Sequence, residues 1–408
     1  MSVNKVVFLW DNFGPYHHDR CEAVARTMGP AWKVCGVETA SREFQYHWNS
    51  ETAAGFSKQT LFPGAILEQV STWSRLAAKL HACFSHLGGH FFFCHYQQLA
   101  TLIVAIILRL LGQKVYMLGN SKFDDYPRHL STEFYKYFFF LPYNAFIVSS
   151  RRSYEYLRFF GVTSRKIFLH YNSVSIARIR NLSEQIPAPS GVPFADRHFT
   201  IVARLSPEKN LMMGLDAYAA YCRDAASPRP LHICGSGPLE RILKDKVAAL
   251  GLDNLVHFRG WTQARETCEI LGHSLALLLP SSQEQFGNVV IEAQAMGLPV
   301  ILSETCGARD HMVRSGVNGF VVEPDNPTGM AYFMSLIDRD QALWTRLAQA
   351  THETVGLGDV QRFAETVQRL TGTTPMLPSY AASGADAAAN EALCRAVTKH
   401  STGASAMC

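Results

Sequence analysis

The chain has 408 residues, of which 48% are hydrophobic and 18% charged. A chain of this length and apolar content holds two or three domains, and a charged fraction below the usual ~25% argues against disorder over most of it. The formal net charge of +4 is too small for a dedicated nucleic-acid binder, yet it tolerates an anionic ligand or a loose contact with a membrane surface.

Short apolar runs that read as strands alternate with longer helical stretches. The first run, 6–9, is strand-like and lacks the pattern of a secretory signal. A turn at Asn12-Phe13-Gly14-Pro15 and a helix over about 17–28 follow. Further strands are expected at 33–37, 91–94, 114–118, 145–148 and 167–169. Two apolar stretches between them need a membrane test. LATLIVAIILRLL, 99–111, is shorter than the ~20 residues of a span and carries Arg109, so it reads as a buried helix between sheet layers. FYKYFFFLP, 134–142, is also too short. Its aromatics and lysine suit an interfacial contact, but a core helix is the preferred reading.

Residues 176–197 carry Pro187, Pro189, Gly191 and Pro193 and read as a linker. A second strand series then begins, at 200–203, 231–234, 256–258, 275–279, 300–302 and 320–322. Residues 357–371 form an amphipathic helix candidate. From about 372 the chain is rich in Ala, Ser, Thr and Gly and reads as a mobile tail, with a short helix candidate at 390–399. The alternation predicts an α/β chain of two Rossmann-like, doubly wound parallel domains, at 1–175 and 198–356, facing a central cleft. Ten cysteines, scattered from Cys21 to Cys408 without metal-type spacing, read as free thiols of a cytoplasmic protein. No metal-ligand cluster is evident.

The segment 275–304, LALLLPSSQEQFGNVVIEAQAMGLPVILSE, concentrates the chemistry. A strand ends at Pro280, a polar loop carries Glu284, and Gly287 leaves room for a ligand. A helix starts near Asn288 and stops at Gly297. The helix start offers free amides and the positive end of the dipole, an anion site. Glu292 lies one turn further on the same face, where it suits sugar hydroxyls rather than phosphate. Arg204 and Lys209 follow another strand end and could balance a diphosphate; the alternative is a solvated loop with an ion pair to Glu208. Gly235 and Gly237 in CGSGPLE lack the third glycine of a dinucleotide fingerprint, since Glu240 stands there, so nicotinamide binding is disfavoured.

EQFGNVVIEAQAMGLPVI resembles the E-x7-E signature of retaining GT-B glycosyltransferases, specifically glycosyltransferase family 4. The likeness extends through GARDHMVRSGVNGFVVEPDNP (307–327), VARLSPEKN (202–210) and CGSGPLE (234–240), and covers about residues 145–370. It implies a nucleoside diphosphate sugar as donor, a hydroxyl acceptor and retention of anomeric configuration. It further implies a metal-independent reaction with no cofactor, a C-terminal donor domain, an N-terminal acceptor domain and a final helix packed back on the latter. By the same resemblance Arg204 and Lys209 hold the diphosphate, Glu284 contacts the transferred sugar, and Glu292 holds the ribose. The backbone of Phe286, Gly287, Asn288 and Val289 caps phosphate or sugar oxygens. Trp261 borders the base pocket or packs as a surface aromatic.

In the N-terminal half, Gly14 stands where the family has a glycine loop near diphosphate and acceptor, followed by His17 and His18. The family's histidine after a central strand is absent from VYMLGNSKFDDYPR (115–128). Asn120, Ser121, Lys122 or Asp124 would substitute, and His95, at an earlier strand end, is a further candidate. Asn172-Ser173 replaces a family Asn-Gly at the domain junction. Acceptors compatible with this reading are saccharides, lipid-linked saccharides and small molecules, with peripheral contact to the cytoplasmic membrane face. Competing readings are a two-carboxylate glycoside hydrolase, a non-catalytic nucleotide-sugar-binding subunit of a polysaccharide assembly complex, and a GT-B-type sugar-nucleotide epimerase.

Overall fold

A computed structural model describes residues 4–43, 55–126 and 128–372. The tail expected beyond 372, with its helix candidate at 390–399, lies outside them. The first sheet contains β1 (Asn4–Trp10), β2 (Trp32–Arg42), β3 (Ser57–Ile66), β4 (His90–Phe93), β5 (Lys114–Gly119), β6 (Ala145–Val148) and β7 (Ile167–Phe168). The second contains β8 (His198–Val202), β9 (Leu231–Cys234), β10 (Val256–Gly260), β11 (Ser274–Leu279), β12 (Val300–Ser303) and β13 (Gly319–Val322). The strand orders are β3-β2-β1-β4-β5-β6-β7 and β10-β9-β8-β11-β12-β13. Every neighbouring pair runs parallel, for example Val6 beside Val34 on one flank of β1 and His90 on the other.

Because side chains alternate across a strand, β1 feeds two cores. Val6, Phe8 and Trp10 join Phe92 on one face of the sheet, while Val7 and Leu9 join Phe91 and Phe93 on the other. The helix Val360–Leu370 closes the first of these faces beside the helix Pro15–Met28, with Phe363 and Val367 fully buried. The chain thus returns to the first sheet after completing the second.

Four sequence expectations change. The strand β3 has no counterpart among the expected runs. It is a half-exposed edge strand, SKQTLFPGAI, whose Pro63 and Gly64 are tolerated because an edge needs fewer ladder bonds. The helix Leu99–Leu110 is not buried between layers. Ala100, Thr101, Val104, Ala105 and Leu108 face the core, whereas Leu99, Ile106 and Leu110 are exposed, because none of the described residues covers the outer side of this helix. The helix Leu130–Phe140 is not a core helix either, since Phe134, Tyr135, Tyr137 and Phe138 all point to solvent. Finally, the segment expected as a linker opens with a helix, Ile176–Ser183. The Ser175 side chain accepts from the Arg178 amide at its start, and Ile176 and Ile179 are buried in the second core. Among the described residues no helix is long and apolar enough to cross a membrane.

The returning helix supplies the test of this architecture. Phe363 is fully buried, with its ring 5.7 Å from that of Phe8. Phe363→Ala is expected to cost about 3–5 kcal/mol, read as a lower urea midpoint. A loss under about 1 kcal/mol would show that the helix does not support the first sheet.

Candidate active site

Both sheets reverse their strand order once, between β1 and β4 and between β8 and β11. At such a point adjacent crossovers leave in opposite directions, and the carboxyl ends of the strands open into a crevice. A cavity of about 350 Å³ lies at the β8/β11 reversal and reaches the first domain.

The loop after β8 brings Arg204 and Lys209 to the cavity, and the loop after β11 brings Glu284. Arg204 Nη2 lies 2.8 Å from Glu208 Oε1, and Lys209 Nζ lies 2.6 Å from Glu284 Oε2. Each cation is therefore matched by a carboxylate. The two loops are also tied by backbone, since the amides of Ser282 and Gln283 both donate to the Glu208 carbonyl. The candidate anion-binding residues and the candidate sugar-contacting carboxylate thus form one connected unit.

Gly287 begins the helix Asn288–Ala295 at a φ of +93°, in the left-handed region. A Cβ there would also press against Cys306 Sγ and Leu279 at 3.2 Å. Gly235, at the end of β9, is equally constrained, because a Cβ would fall 1.9 Å from the Ala203 carbonyl oxygen. These glycines let the loops after β8, β9 and β11 crowd against one wall of the cavity. Phe286 is 1% exposed, and its carbonyl accepts from the Ala308 amide at 2.8 Å, which fixes the approach to the helix. The helix has no side-chain cap, and the first amides of a helix have no intrahelical partner.

Glu292 sits one turn into this helix and is 9% exposed. The Tyr16 hydroxyl, from the start of the Pro15–Met28 helix, donates to Glu292 Oε1 at 2.8 Å. Burial pushes the Glu292 carboxyl above its ordinary range, against the opposing pull of the Tyr16 hydrogen bond and the Arg178 charge. A second contact joins the domains nearby, where Asn172 Nδ2 donates to Asn288 Oδ1 at 3.0 Å. Ser149 in turn donates to Asn172 Oδ1 at 2.8 Å.

Every candidate from the second half lines this one cavity: Arg204, Lys209, Glu284, Glu292 and the run Phe286 to Val289. Trp261 borders it too, half-buried. The first-half candidates divide. Asn120 lines the cavity, with its Oδ1 against the Ser149 hydroxyl. Gly14 does not line it; its amide donates to His17 Nδ1 at 3.2 Å, while Pro15 and Tyr16 reach the cavity instead. His17 packs on Trp10 with ring centroids 4.4 Å apart, and burial lowers its pKa, so it serves the loop as a neutral acceptor. His18 is 2% exposed inside the first domain. Asp124 pairs with Lys122 at 3.0 Å and with Arg152, which also reaches Asp310 at 3.0 Å, so it belongs to a charge bridge between domains. His95 stands at the other reversal, with Nδ1 3.8 Å from the buried Asp11 carboxylate.

Tyr16, Asn172 and Arg178 are among the cavity residues that escaped the sequence reading in this role. Tyr16 was masked by the adjacent histidines, Asn172 read as a junction residue, and Arg178 lay inside the supposed linker. Arg178 is held by Asp19 through two hydrogen bonds of 2.6 and 2.7 Å. Its one sequence signal is position, just beyond the strand-like end of the first series. Among the described residues there is no group of three or more His, Cys, Asp or Glu arranged to hold a metal ion.

Comparison with known proteins bears on the same half of the chain. Residues 183–353, less than half of it, match the family described as Glycosyl transferases group 1. The lipopolysaccharide core biosynthesis glycosyltransferase LpsE of Rhizobium meliloti is 34% identical over 136 residues, covering 33% of this chain and 39% of LpsE. The D-rhamnosyltransferase WbpZ of Pseudomonas aeruginosa is 33% identical over 140 residues, 34% of this chain and 35% of WbpZ. The chain therefore matches well under two thirds of the length of these relatives. Over the whole molecule, the crystal structure of Anabaena Alr3699/HepE in complex with UDP superimposes with a TM-score of 0.67 at 16% identity, covering 91% of this chain and all of that one. The fold is accordingly GT-B, two Rossmann-like domains about a cleft.

The buried Glu292 gives a sign-defined prediction. Its folded pKa is raised, so the ionised form carries a penalty that is absent at low pH and grows as pH rises through that pKa. Glu292→Gln is expected to raise the thermal midpoint by roughly 2 °C at about pH 8 and by less at about pH 5. A midpoint lowered at both pH values would contradict it.

Proposed function

We propose that this chain is a nucleotide-sugar-dependent glycosyltransferase of family 4 that moves a sugar to an acceptor hydroxyl with retention of configuration. One observation carries the reading. A single cavity gathers a helix start, two cations and a buried carboxylate, which are the groups that a nucleoside diphosphate presents partners for. The UDP bound by HepE, and the glycosyl transfer named for LpsE and WbpZ, support a nucleotide donor and a role in glycoconjugate assembly.

In this reading the ribose hydroxyls replace Tyr16 on Glu292, and the diphosphate lies at the Asn288 helix start within reach of Arg204 and Lys209. The anomeric carbon–phosphate oxygen bond breaks, and charge accumulates on the departing diphosphate. Lys209, Arg204 and the helix amides stabilise that charge where it develops, so they favour the transition state over the ground state. These protein cations make the reaction metal-independent. The acceptor oxygen bonds to the same face of the anomeric carbon, and its proton passes to the departing phosphate oxygen. Glu284, released from Lys209 as the diphosphate arrives, turns to the sugar hydroxyls.

A peripheral contact with the cytoplasmic membrane face belongs to the same proposal. Phe134, Tyr135 and Phe138 form an outward aromatic row on one helix, and Phe159 is exposed on the next beside the exposed Arg158. Aromatic rings with a neighbouring cation suit an anionic bilayer surface.

Thermal stabilisation by nucleoside diphosphates tests the site. Lys209→Ala and Glu292→Ala are each expected to weaken UDP or GDP binding by about tenfold or more; unchanged affinity in both would sink it. Co-sedimentation with phosphatidylglycerol vesicles tests the surface. The Phe134→Ser/Phe138→Ser variant is expected to stay in solution while the parent chain pellets, and a parent chain that ignores such vesicles refutes the membrane contact.

A further inference from the structure

Two contacts from the first domain, Tyr16 to Glu292 and Asn172 to Asn288, land on the helix Asn288–Ala295. A third reaches the neighbouring loop that carries Glu284, and it does so through Arg152.

Arg152 lies in the first turn of the helix Arg151–Phe159, which follows β6. The Ser150 hydroxyl accepts from the Ser153 amide at 3.2 Å and fixes that turn. The Arg152 backbone amide and its Nε donate to the two carboxylate oxygens of Asp310, each at 3.0 Å. Nη2 donates to the Cys306 carbonyl at 2.6 Å, and Nη1 reaches back to Asp124 in its own domain. One side chain thus grips both ends of the segment 306–310 of the second domain. A guanidinium can do this because its donors diverge in one plane, whereas an ammonium is a point charge.

The segment 306–310 is in turn the support of the Glu284 loop. Cys306 pairs with Glu284 in an isolated parallel bridge. The Gly307 amide donates to the Glu284 carbonyl at 3.2 Å and the Ala308 amide to the Phe286 carbonyl at 2.8 Å. Cys306 Sγ donates to the same Phe286 carbonyl at 2.9 Å. The approach is so close that a Cβ on Gly307 would fall 2.0 Å from the Gln285 carbonyl oxygen. Packing this tight passes a displacement on rather than absorbing it. The neighbouring Arg151 has no such reach, since its guanidinium turns to Glu155 on its own helix.

We infer that Arg152 is a positioning residue. It holds the segment 306–310 against the first domain and so sets the place of Glu284 against the transferred sugar, while not lining the donor cavity itself. The contacts between the domains then divide by role: Tyr16 and Asn172 act at the nucleotide end, and Arg152 at the sugar end. The inference rests on the reading of Glu284 as the carboxylate that contacts the sugar.

The full chain is screened with UDP-glucose, UDP-galactose, UDP-N-acetylglucosamine and GDP-mannose. The one that raises the melting temperature most is titrated calorimetrically beside its sugar-free nucleoside diphosphate, and the ratio of the two dissociation constants isolates the sugar. Arg152→Ala and Asp310→Asn weaken the link from opposite sides. Each is expected to shift the ratio against the sugar by about fivefold, with the affinity for the nucleoside diphosphate unchanged. Arg151→Ala, which removes the same charge, is expected to leave the ratio alone. In a Glu284→Gln background the Arg152→Ala shift is expected to vanish, because the two residues act through one contact. An unshifted ratio in whichever of the two link variants folds overturns the inference. So does an equal shift in Arg151→Ala, a shift undiminished in the Glu284→Gln background, or an equal loss of affinity for the sugar-free nucleotide. A ratio that Glu284→Gln itself does not move, or a chain that binds none of the four donors, instead removes the parent reading of Glu284, and the inference with it.

Discussion

The reversal of strand order is the constraint on which this molecule is built. A parallel sheet must be covered on both faces, so its strands are joined by helices. Only where the order reverses do the crossovers part and leave strand ends open. Here the β8/β11 reversal carries Arg204, Lys209 and Glu284 on its two loops, and the β1/β4 reversal carries Asp11 and His95. Against the upward push of burial, the charges of His95 and Lys79 and hydrogen bonds from Thr39 and Gln98 hold the Asp11 carboxyl below the usual carboxylate range. Each sheet thus places an ion pair at its own opening, Lys79 with Asp11 in the first and Lys209 with Glu284 in the second.

The walls of the cavity at the β8/β11 reversal carry features that cost stability. Glu292 is a carboxylate in a desolvated position, Gly287 holds a left-handed turn, and the helix behind them begins without a side-chain cap. A fold selected for stability alone would place an apolar residue at 292 and a capping side chain at 287. Tyr16 and Asn172 partly offset the cost, and both come from the opposite domain. In the proposed reading, the groups that meet a nucleotide are the same groups that join the domains, so occupancy of the cavity would be coupled to the geometry of the cleft.

Local pattern carried the reading furthest where the chemistry is contiguous. Glu284, Gly287, Asn288 and Glu292 fall in one strand–loop–helix unit, and a Pro and two Gly residues mark its boundaries. The same logic failed for Phe134 to Phe138. Apolar composition indicates what a helix could bury, but not whether anything is there to bury it, and the outer side of that helix has no neighbour among the described residues. It also passed over β3, because an edge strand with Pro63 and Gly64 lacks the apolar run that marks a covered one.

The sequence by itself determined the alternation of strand and helix, the two Rossmann-like units, and the grouping of the second-half candidates at strand ends. These follow from periodicity and turn chemistry, which act over a few residues. Tertiary structure alone decided which distant charges meet. Lys209 faces Glu284 across 75 positions of chain and Arg152 faces Asp310 across 158, whereas the pair of Arg204 with Glu208, four residues apart, is local and already offered by the sequence. Tertiary structure also brought Tyr16 to Glu292 across 276 positions of chain and turned His17 back onto its own loop. Pairings between distant positions depend on how strand ends of one sheet, or the two sheets themselves, are brought together, and no local pattern encodes that distance.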